Sequence, residues 1–395
     1  GIFTVGANVT IGINPQAFVV GDIDNDGDVD ILVANADATV SVVRNGTIGA
    51  PGTFAIVSTL TAVAGATSMR SVAIADVNAD GNLDCIFAID APSTSVQIFL
   101  GDGLGAFAHH STTALSGDPT ELTTGDVDND GDIDIVAGNY FNSRVQVVTN
   151  NGMGNFTSIG FRTLHANPGE VELADMNGDG ILDIIVGQQS GGTTVAICLG
   201  VGNGTFNAPT PLTAGTNPAS VYIGNFDGMN GLDIAVANRV SDDISIFLNN
   251  GSGVFSPAPV TPVVSVGGTW LPVAIVGGDF DGDGDLDIAT ANNSASRVSV
   301  FFNTLAPTVQ NNIHPYTALV PVVPARNVNN AALATNLDIP FSQNVRAASV
   351  IATNFRVWGG FTGRKNSTLS AAGATVTVNP TIDFRRGEQV MVSVT

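Results

Sequence analysis

An acidic nonapeptide of the form Asp-x-Asp/Asn-x-Asp-Gly-x-x-Asp recurs six times in this chain, intact or worn, starting at Asp22, Asp76, Asp126, Asp175, Asn225 and Asp279. The copies are spaced by 49 to 54 residues, so the chain is a repeat array before it is anything else. Side-chain oxygens at positions 1, 3, 5 and 9 reach one point only when the loop wraps around it. The glycine at position 6 allows the bend, and a carbonyl at position 7 can complete the shell. Hard oxygen donors in that number, on a flexible loop, describe Ca2+ better than Zn2+ or Mg2+.

The candidate ligands follow loop by loop. The first offers Asp22, Asp24, Asp26, Asp28 and Asp30, the second Asp76, Asn78, Asp80, Asn82 and Asp84. The third offers Asp126, Asp128, Asp130, Asp132 and Asp134. In the fourth they are Asp175, Asn177, Asp179, Ile181 (through its carbonyl) and Asp183. The sixth has Asp279, Asp281, Asp283, Asp285 and Asp287. The fifth departs: Asn225, Asp227 and Asp233 remain, but Met229 stands at position 5 and the glycine is displaced. Calcium is therefore the expected cofactor, up to six ions, with the fifth site weak or empty.

An EF-hand also begins D-x-D-x-D-G, but it needs its closing acid at position 12 and a helix on each side. Here the acid closes at position 9, Val33 occupies position 12 of the first copy, and the flanks 17–20 and 31–34 are strand-like. A metal-free Asx turn explains one such loop, since Asp, Asn and Gly dominate turns. Six in phase, each gathering carboxylates that repel one another, ask for a cation.

The rest of the chain is β in composition. Valine, isoleucine, threonine, glycine and asparagine abound, and no helical period of useful length appears. Around each loop the sequence reads as four strands, the third running into a Gly-rich turn and a phenylalanine. Those turns are 101–107, 151–156, 200–206 and 250–255, ending on Phe107, Phe156, Phe206 and Phe255. Gly-x-Gly and Asn-Gly supply the positive φ that hairpins demand. A four-stranded unit of this length, repeated radially, is a β-propeller blade.

The nonapeptide at this pitch, together with Gly-x-Phe, resembles the FG-GAP family, also described as integrin-α-like or VCBS repeats, over residues 1 to about 304. The resemblance implies a propeller whose loops are structural Ca2+ sites, in extracellular adhesion and binding proteins. Six blades are expected, with residues 1–5 supplying the strand that the sixth repeat lacks after 298–303. The alternative is a seventh blade in a longer chain. Residues 305–324 read as linker and first strand, and 325–395 resemble a bacterial Ig-like β-sandwich, complete or cut short.

Charge follows the metal chemistry. The net charge of −22 divides into −26 over 1–304 (6 basic, 32 acidic) and +4 over 305–395 (7 basic, 3 acidic). The loops hold 23 of the 35 acids, so nucleic acid is a poor partner. The opposite signs predict that the C-terminal module touches propeller surface. No run is long enough for a transmembrane helix. The chain starts at Gly1 without Met, which reads as a signal peptide already removed, and calcium loops suit the millimolar Ca2+ outside cells. The expected location is secreted, associated with a cell surface.

Nothing in the sequence assembles a catalytic group. His109, His110, His165 and His314 sit in no motif with a nucleophile, and Cys85 and Cys198 lie inside apolar strands as buried thiols. Sequons such as the one at Asn155 coincide with turns. The chain is read as a non-enzyme. Its function is expected to be adhesion or binding to protein or glycan through the face opposite the metal loops, where Tyr140, Arg144 and Trp270 are the candidate contacts. The alternative is a structural subunit of an extracellular filament or coat, pairing with copies of itself. A polysaccharide-degrading enzyme on a propeller scaffold ranks behind both.

Overall fold

The computed structural model describes residues 8–46, 52–63, 65–91, 93–229, 231–258, 270–281 and 285–303, with the backbone of seven short strands between 263 and 394. Each repeat folds as one antiparallel sheet whose strands follow chain order. The first blade is β1 (Pro15–Gly21), β2 (Asp30–Asn35), β3 (Thr39–Asn45) and β4 (Phe54–Thr61). The second is β5 (Ser68–Ala75), β6 (Asp84–Ala91), β7 (Ser95–Gly101) and β8 (Phe107–Ala114). The third is β9 (Pro119–Gly125), β10 (Asp134–Asn139), β11 (Arg144–Asn150) and β12 (Phe156–Thr163). The fourth is β13 (Asn167–Ala174), β14 (Asp183–Gln189), β15 (Thr194–Cys198) and β16 (Thr210–Thr213). The fifth has β17 (Pro218–Gly224), β18 (Asp233–Asn238) and β19 (Asp243–Asn249), with β20 (Phe255–Pro257) and β21 (Val263–Ser265) both pairing with β19. The sixth has β22 (Pro272–Gly278), β23 (Asp287–Asn292) and β24 (Arg297–Phe301). These are the six blades of an all-β propeller, and no helix occurs among the described residues.

The strands follow from their sequences. The second strand of each blade is packed on both faces and therefore reads as a continuous apolar run rather than an alternation. In β18, Ile234 and Val236 join Ile185, Val195 and Ile197 of the fourth blade, while Ala235 and Ala237 join Ile275 and Ile288 of the sixth. The same logic packs Leu32, Ala34, Val40 and Val42 of the first blade against Met69, Val72, Phe87 and Ile89 of the second. Burying one such side chain stabilises by about 1.5–3 kcal/mol. The fourth strands are solvated and polar, as β8 shows with exposed His109 and His110. Cys85 and Cys198 are buried thiols, as expected.

Two compact units divide the chain, Gly1–Leu173 with Gln188–Gly192 and Gly200–Pro209, and Ala174–Gly187 with Thr193–Leu199 and Thr210–Thr395. In the first unit, Phe18 is 68% exposed, although Val72, one blade on and four residues before its own loop as Phe18 is, is buried. In the second, Val298 of the sixth blade is 71% exposed, and Val276 and Val300 are exposed beside it.

Beyond the blades, β25 (Leu337–Pro340), β28 (Ser367–Ala372) and β29 (Thr375–Pro380) form one antiparallel sheet. A second is made of β26 (Phe355–Gly359), β27 (Gly363–Lys365) and β30 (Val390–Val394). The expected Ig-like sandwich is not shown by these strands. The closing strand expected of 1–5, the linker at 305–324 and most of 325–395 lie outside the described residues.

Candidate metal centres in the blade loops

Each nonapeptide joins the first strand of a blade to the second. In the first four loops the turn is made by two left-handed positions, the fourth and the sixth, such as Asn25 (φ 58°) and Gly27 (φ 94°). The backbone then points its N–H groups at the side chains of its own loop. Asp22 accepts from Asp26 N (3.1 Å) and Gly27 N (3.1 Å), and Asp76 accepts in the same way from Asp80 N (3.2 Å) and Gly81 N (2.9 Å). In the fourth loop Asp175 takes the N–H groups of Gly178, Asp179 and Gly180.

Position 9 does something the spacing did not reveal. Its carboxylate is buried and splits its two oxygens between two backbone N–H groups. Asp134 Oδ2 accepts from Val127 N (3.0 Å) and Oδ1 from Asn150 N (2.8 Å). The pattern repeats for Asp30 with Ile23 and Asn45, Asp84 with Val77 and Gly101, Asp233 with Phe226 and Asn249, and Asp287 with Phe280 and Asn303. Asp183 takes Met176 N. This aspartate ties the metal loop to the end of the third strand. A signal was available: position 9 is Asp in all six copies, including the worn fifth, where position 1 is not.

Ligand atoms of positions 1, 3 and 9 converge. Oxygens of Asp22, Asp24 and Asp30 lie within 4.8 Å of one another, as do those of Asp126, Asp128 and Asp134, and of Asp279, Asp281 and Asp287. Donors at the 2.3–2.6 Å of a calcium shell sit about 4.6–5.2 Å apart across the ion, so these triads have the dimensions of a cation cradle. Asp26 Oδ2, at position 5, is buried without a hydrogen-bond donor, an acceptor that a cation would satisfy. Electrostatics agrees. Burial, with neighbouring carboxylates adding to it, pushes Asp22, Asp76, Asp128 and Asp175 above the ordinary carboxylate range. It takes Asp84 and Asp134 up to about 7 and Asp30 to about 6, against the pull of their backbone hydrogen bonds. A bound cation inverts that balance. Asp283 lies outside the described residues.

Two loops deviate. In the first, the Arg44 guanidinium pairs with Asp24, so one ligand oxygen already faces a cation of the protein's own. In the fifth, Asn225 Nδ2 donates to Met229 O (2.8 Å), whereas the bond from Met229 N to Asp227 Oδ1 (2.8 Å) is one the third loop also makes, Asp130 N to Asp128 Oδ1 (3.2 Å). That loop closes on itself and gathers no acidic triad among the described residues, while Asp233 keeps its bonds from Phe226 N and Asn249 N and adds one from Asp227 N (3.3 Å).

The expected ligand-contact residues each meet a partner within their own unit. Arg144 lies over the Phe161 ring (3.9 Å) and donates to Ser116 Oγ (3.1 Å), so its charge is spent within the third blade. The Tyr140 hydroxyl pairs with Ser190. Trp270 packs against the core shared by the fifth and sixth blades and receives Arg297 at 5.2 Å. One further group escaped sequence reading: Glu121 on β9 and Glu172 on β13. Burial and then Glu170 raise both, Glu121 to about 7 and Glu172 to about 8, with Ser71 hydrogen-bonded to Glu121 (3.0 Å).

Fold and loops together define a β-propeller built from blades that each carry an acidic first-turn loop. The FG-GAP-like repeat model matches residues 22–87, 76–137, 126–186, 175–228 and 230–290, well over half of the chain. The chain belongs to the FG-GAP-like repeat family. No curated protein matches its sequence. Among solved structures, BBS1N in its complex with ARL6DN is similar at 13% identity and a TM-score of 0.50, over 94% of this chain and 93% of that one. A functionally unknown protein from Desulfotomaculum acetoxidans is similar at 13% identity and 0.49, over 74% and 90%. Sqt1 of Saccharomyces cerevisiae is similar at 12% identity and 0.47, over 92% and 84%. At such identities the likeness concerns the fold alone.

Proposed function

We propose that this chain is a calcium-stabilised binding module that works outside the cell and carries out no catalysis. The observation that carries the calcium reading is the convergence of three aspartate triads to within 4.8 Å. All donors are oxygens, and the loops at Asp76 and Asp175 offer the same donors with Asn78 or Asn177 at position 3. Asp22, Asp24 and Asp30 would hold one ion, Asp126, Asp128 and Asp134 a second, and Asp279, Asp281 and Asp287 a third. Bound there, calcium supplies countercharge to carboxylates that burial has made costly, and so locks the first turn of a blade to its third strand. Sites of this kind fill at extracellular calcium levels, which supports secretion, in keeping with the extracellular adhesion proteins that the family resemblance implies.

The adhesive surface is assigned to the loops between second and third strands, where half-buried Tyr140 and exposed Phe141 stand on the third blade. Their partner is a protein or a glycan. The test is calorimetric titration of chelated protein with Ca2+, followed by glycan-array binding with and without Ca2+. Fewer than three bound ions would overturn the calcium reading. A calcium-loaded protein that binds no glycan and no cell-surface protein would overturn the adhesion reading. A second reading, self-assembly into a filament or coat, is favoured by exposed Val276, Val298 and Val300 on the sixth blade. Light scattering that shows a monomer at all concentrations removes it.

A further inference from the structure

We propose that the asparagine ending the third strand of a blade positions the metal loop of the preceding blade, Asn150 serving the loop 76–84 and Asn249 the loop 175–183. The inference rests on the calcium reading above. Position 2 of a loop lies between two ligands, so the peptide planes on either side of it aim the carboxyl or amide groups at positions 1 and 3. In the second loop the plane before Val77 is fixed by Val77 N donating to Asp84 Oδ2 (2.9 Å). The plane after it is fixed from the next blade: Asn150 Nδ2 donates to Val77 O (2.7 Å), joined by Gly154 N (3.0 Å). Both groups are buried, so no water competes.

The arrangement recurs with the same polarity. Asn249 Nδ2 donates to Met176 O (2.7 Å), whose own N–H is held by Asp183 (2.9 Å). Asn303 Nδ2 reaches Phe226 O (2.7 Å) of the worn fifth loop. Each asparagine also gives its backbone N–H to the position-9 aspartate of its own blade, Asn150 to Asp134 and Asn249 to Asp233. One residue thus touches two successive loops by two different groups, its backbone fixing its own loop and its amide fixing the one before. The third loop lacks this side chain. Gly200, six residues before Phe206 as Asn150 is before Phe156, stands in its place, and Val127 O is reached by Gly204 N (3.0 Å).

The test is Asn150→Gly in the full chain, a residue the fourth blade already carries at this place. Calcium is titrated into chelated protein while the backbone amides of Gly81 and Gly131 are followed by NMR, reporting the second and third loops separately. The variant loses the bond to Val77 O and the two that Asn150 Oδ1 accepts from Asn151 N (2.8 Å) and Gly154 N (3.1 Å), of which the first bears on the loop directly, and the Gly81 midpoint shifts to roughly three- to tenfold higher calcium. The Gly131 midpoint stays, because the backbone bond to Asp134 remains. Equal shifts at both loops, as general destabilisation would produce, or no shift at either, overturn the proposal. Should that variant fail to fold, Asn249→Gly read at Gly180 against Gly131 makes the same demand. Wild-type protein whose glycine amides ignore calcium would instead overturn the calcium reading itself.

Discussion

The third and fifth loops are built on the same plan and differ in what they can hold. Both join a first strand to a second, and both bury a position-9 aspartate, Asp134 or Asp233, on two backbone N–H groups. Only the third adds a converging triad, whereas the fifth has Asn225 and Met229 at positions 1 and 5 and turns the Asn225 amide onto Met229 O. The blade keeps its shape in both cases. Position 9 is therefore architecture in both loops, and in the third the same Asp134 also joins the triad proposed to hold a cation. Burial raises both position-9 acids, Asp134 to about 7 and Asp233 to about 6, which marks the cost as one of the fold rather than of crowded ligands.

The sharpest way to break this comparison is to remove the shared residue. Asp233→Ala leaves the N–H groups of Phe226, Asp227 and Asn249 without this acceptor and is expected to cost about 3 kcal/mol in denaturant unfolding, with a similar loss expected for Asp134→Ala. A loss below 1 kcal/mol for Asp233→Ala alone would make position 9 a metal ligand first. Next in size is the metal itself. At calcium a hundredfold above Kd each site adds about 2.7 kcal/mol to folded-state stability. Chelation should thus lower the melting temperature, and Asp126→Ala should remove one bound ion while Asp227→Ala removes none. Equal losses of calcium would erase the distinction between the loops.

The dependence on pH is smaller and has a definite sign. Glu121 (about 7) and Glu172 (about 8) have folded-state values above their unfolded ones, so the folded chain holds more protons between about pH 4 and pH 8. Stability in chelator should fall as pH rises through that window, and Glu172→Gln should flatten the slope. A melting temperature that rises from pH 5 to pH 8 in chelator contradicts the burial of these acids. The smallest effect concerns the first loop. Arg44→Leu, the residue that Leu248 supplies at the same place in the fifth blade, frees an Asp24 oxygen and should tighten calcium there several-fold. Unchanged binding would show that the arginine does not compete.

Much of this molecule is written in its sequence because the determinants are local. A metal loop needs oxygens at fixed offsets and a glycine in a left-handed turn, so Asp22 to Asp30 can be read without a fold. The four-stranded period and the worn fifth loop are legible for the same reason, and the family match over 22–290 agrees with them. What escaped was set by groups far apart in the chain. The two duties of Asp134 need Asn150 brought beside it, Asn150 reaches Val77 across 73 residues, and Arg44 meets Asp24 only when β3 folds back along β2. Arg144 and Trp270 read as ligand contacts in the sequence, and only the fold shows that Arg144 lies over Phe161 and that Arg297 lies over Trp270. Sequence determined the blades and their donor sets, since turn geometry and hydrophobic period act over a few residues. Tertiary structure alone decided which donors are already spoken for, because hydrogen-bond partners and desolvation depend on what the neighbouring strands bring within 3 Å.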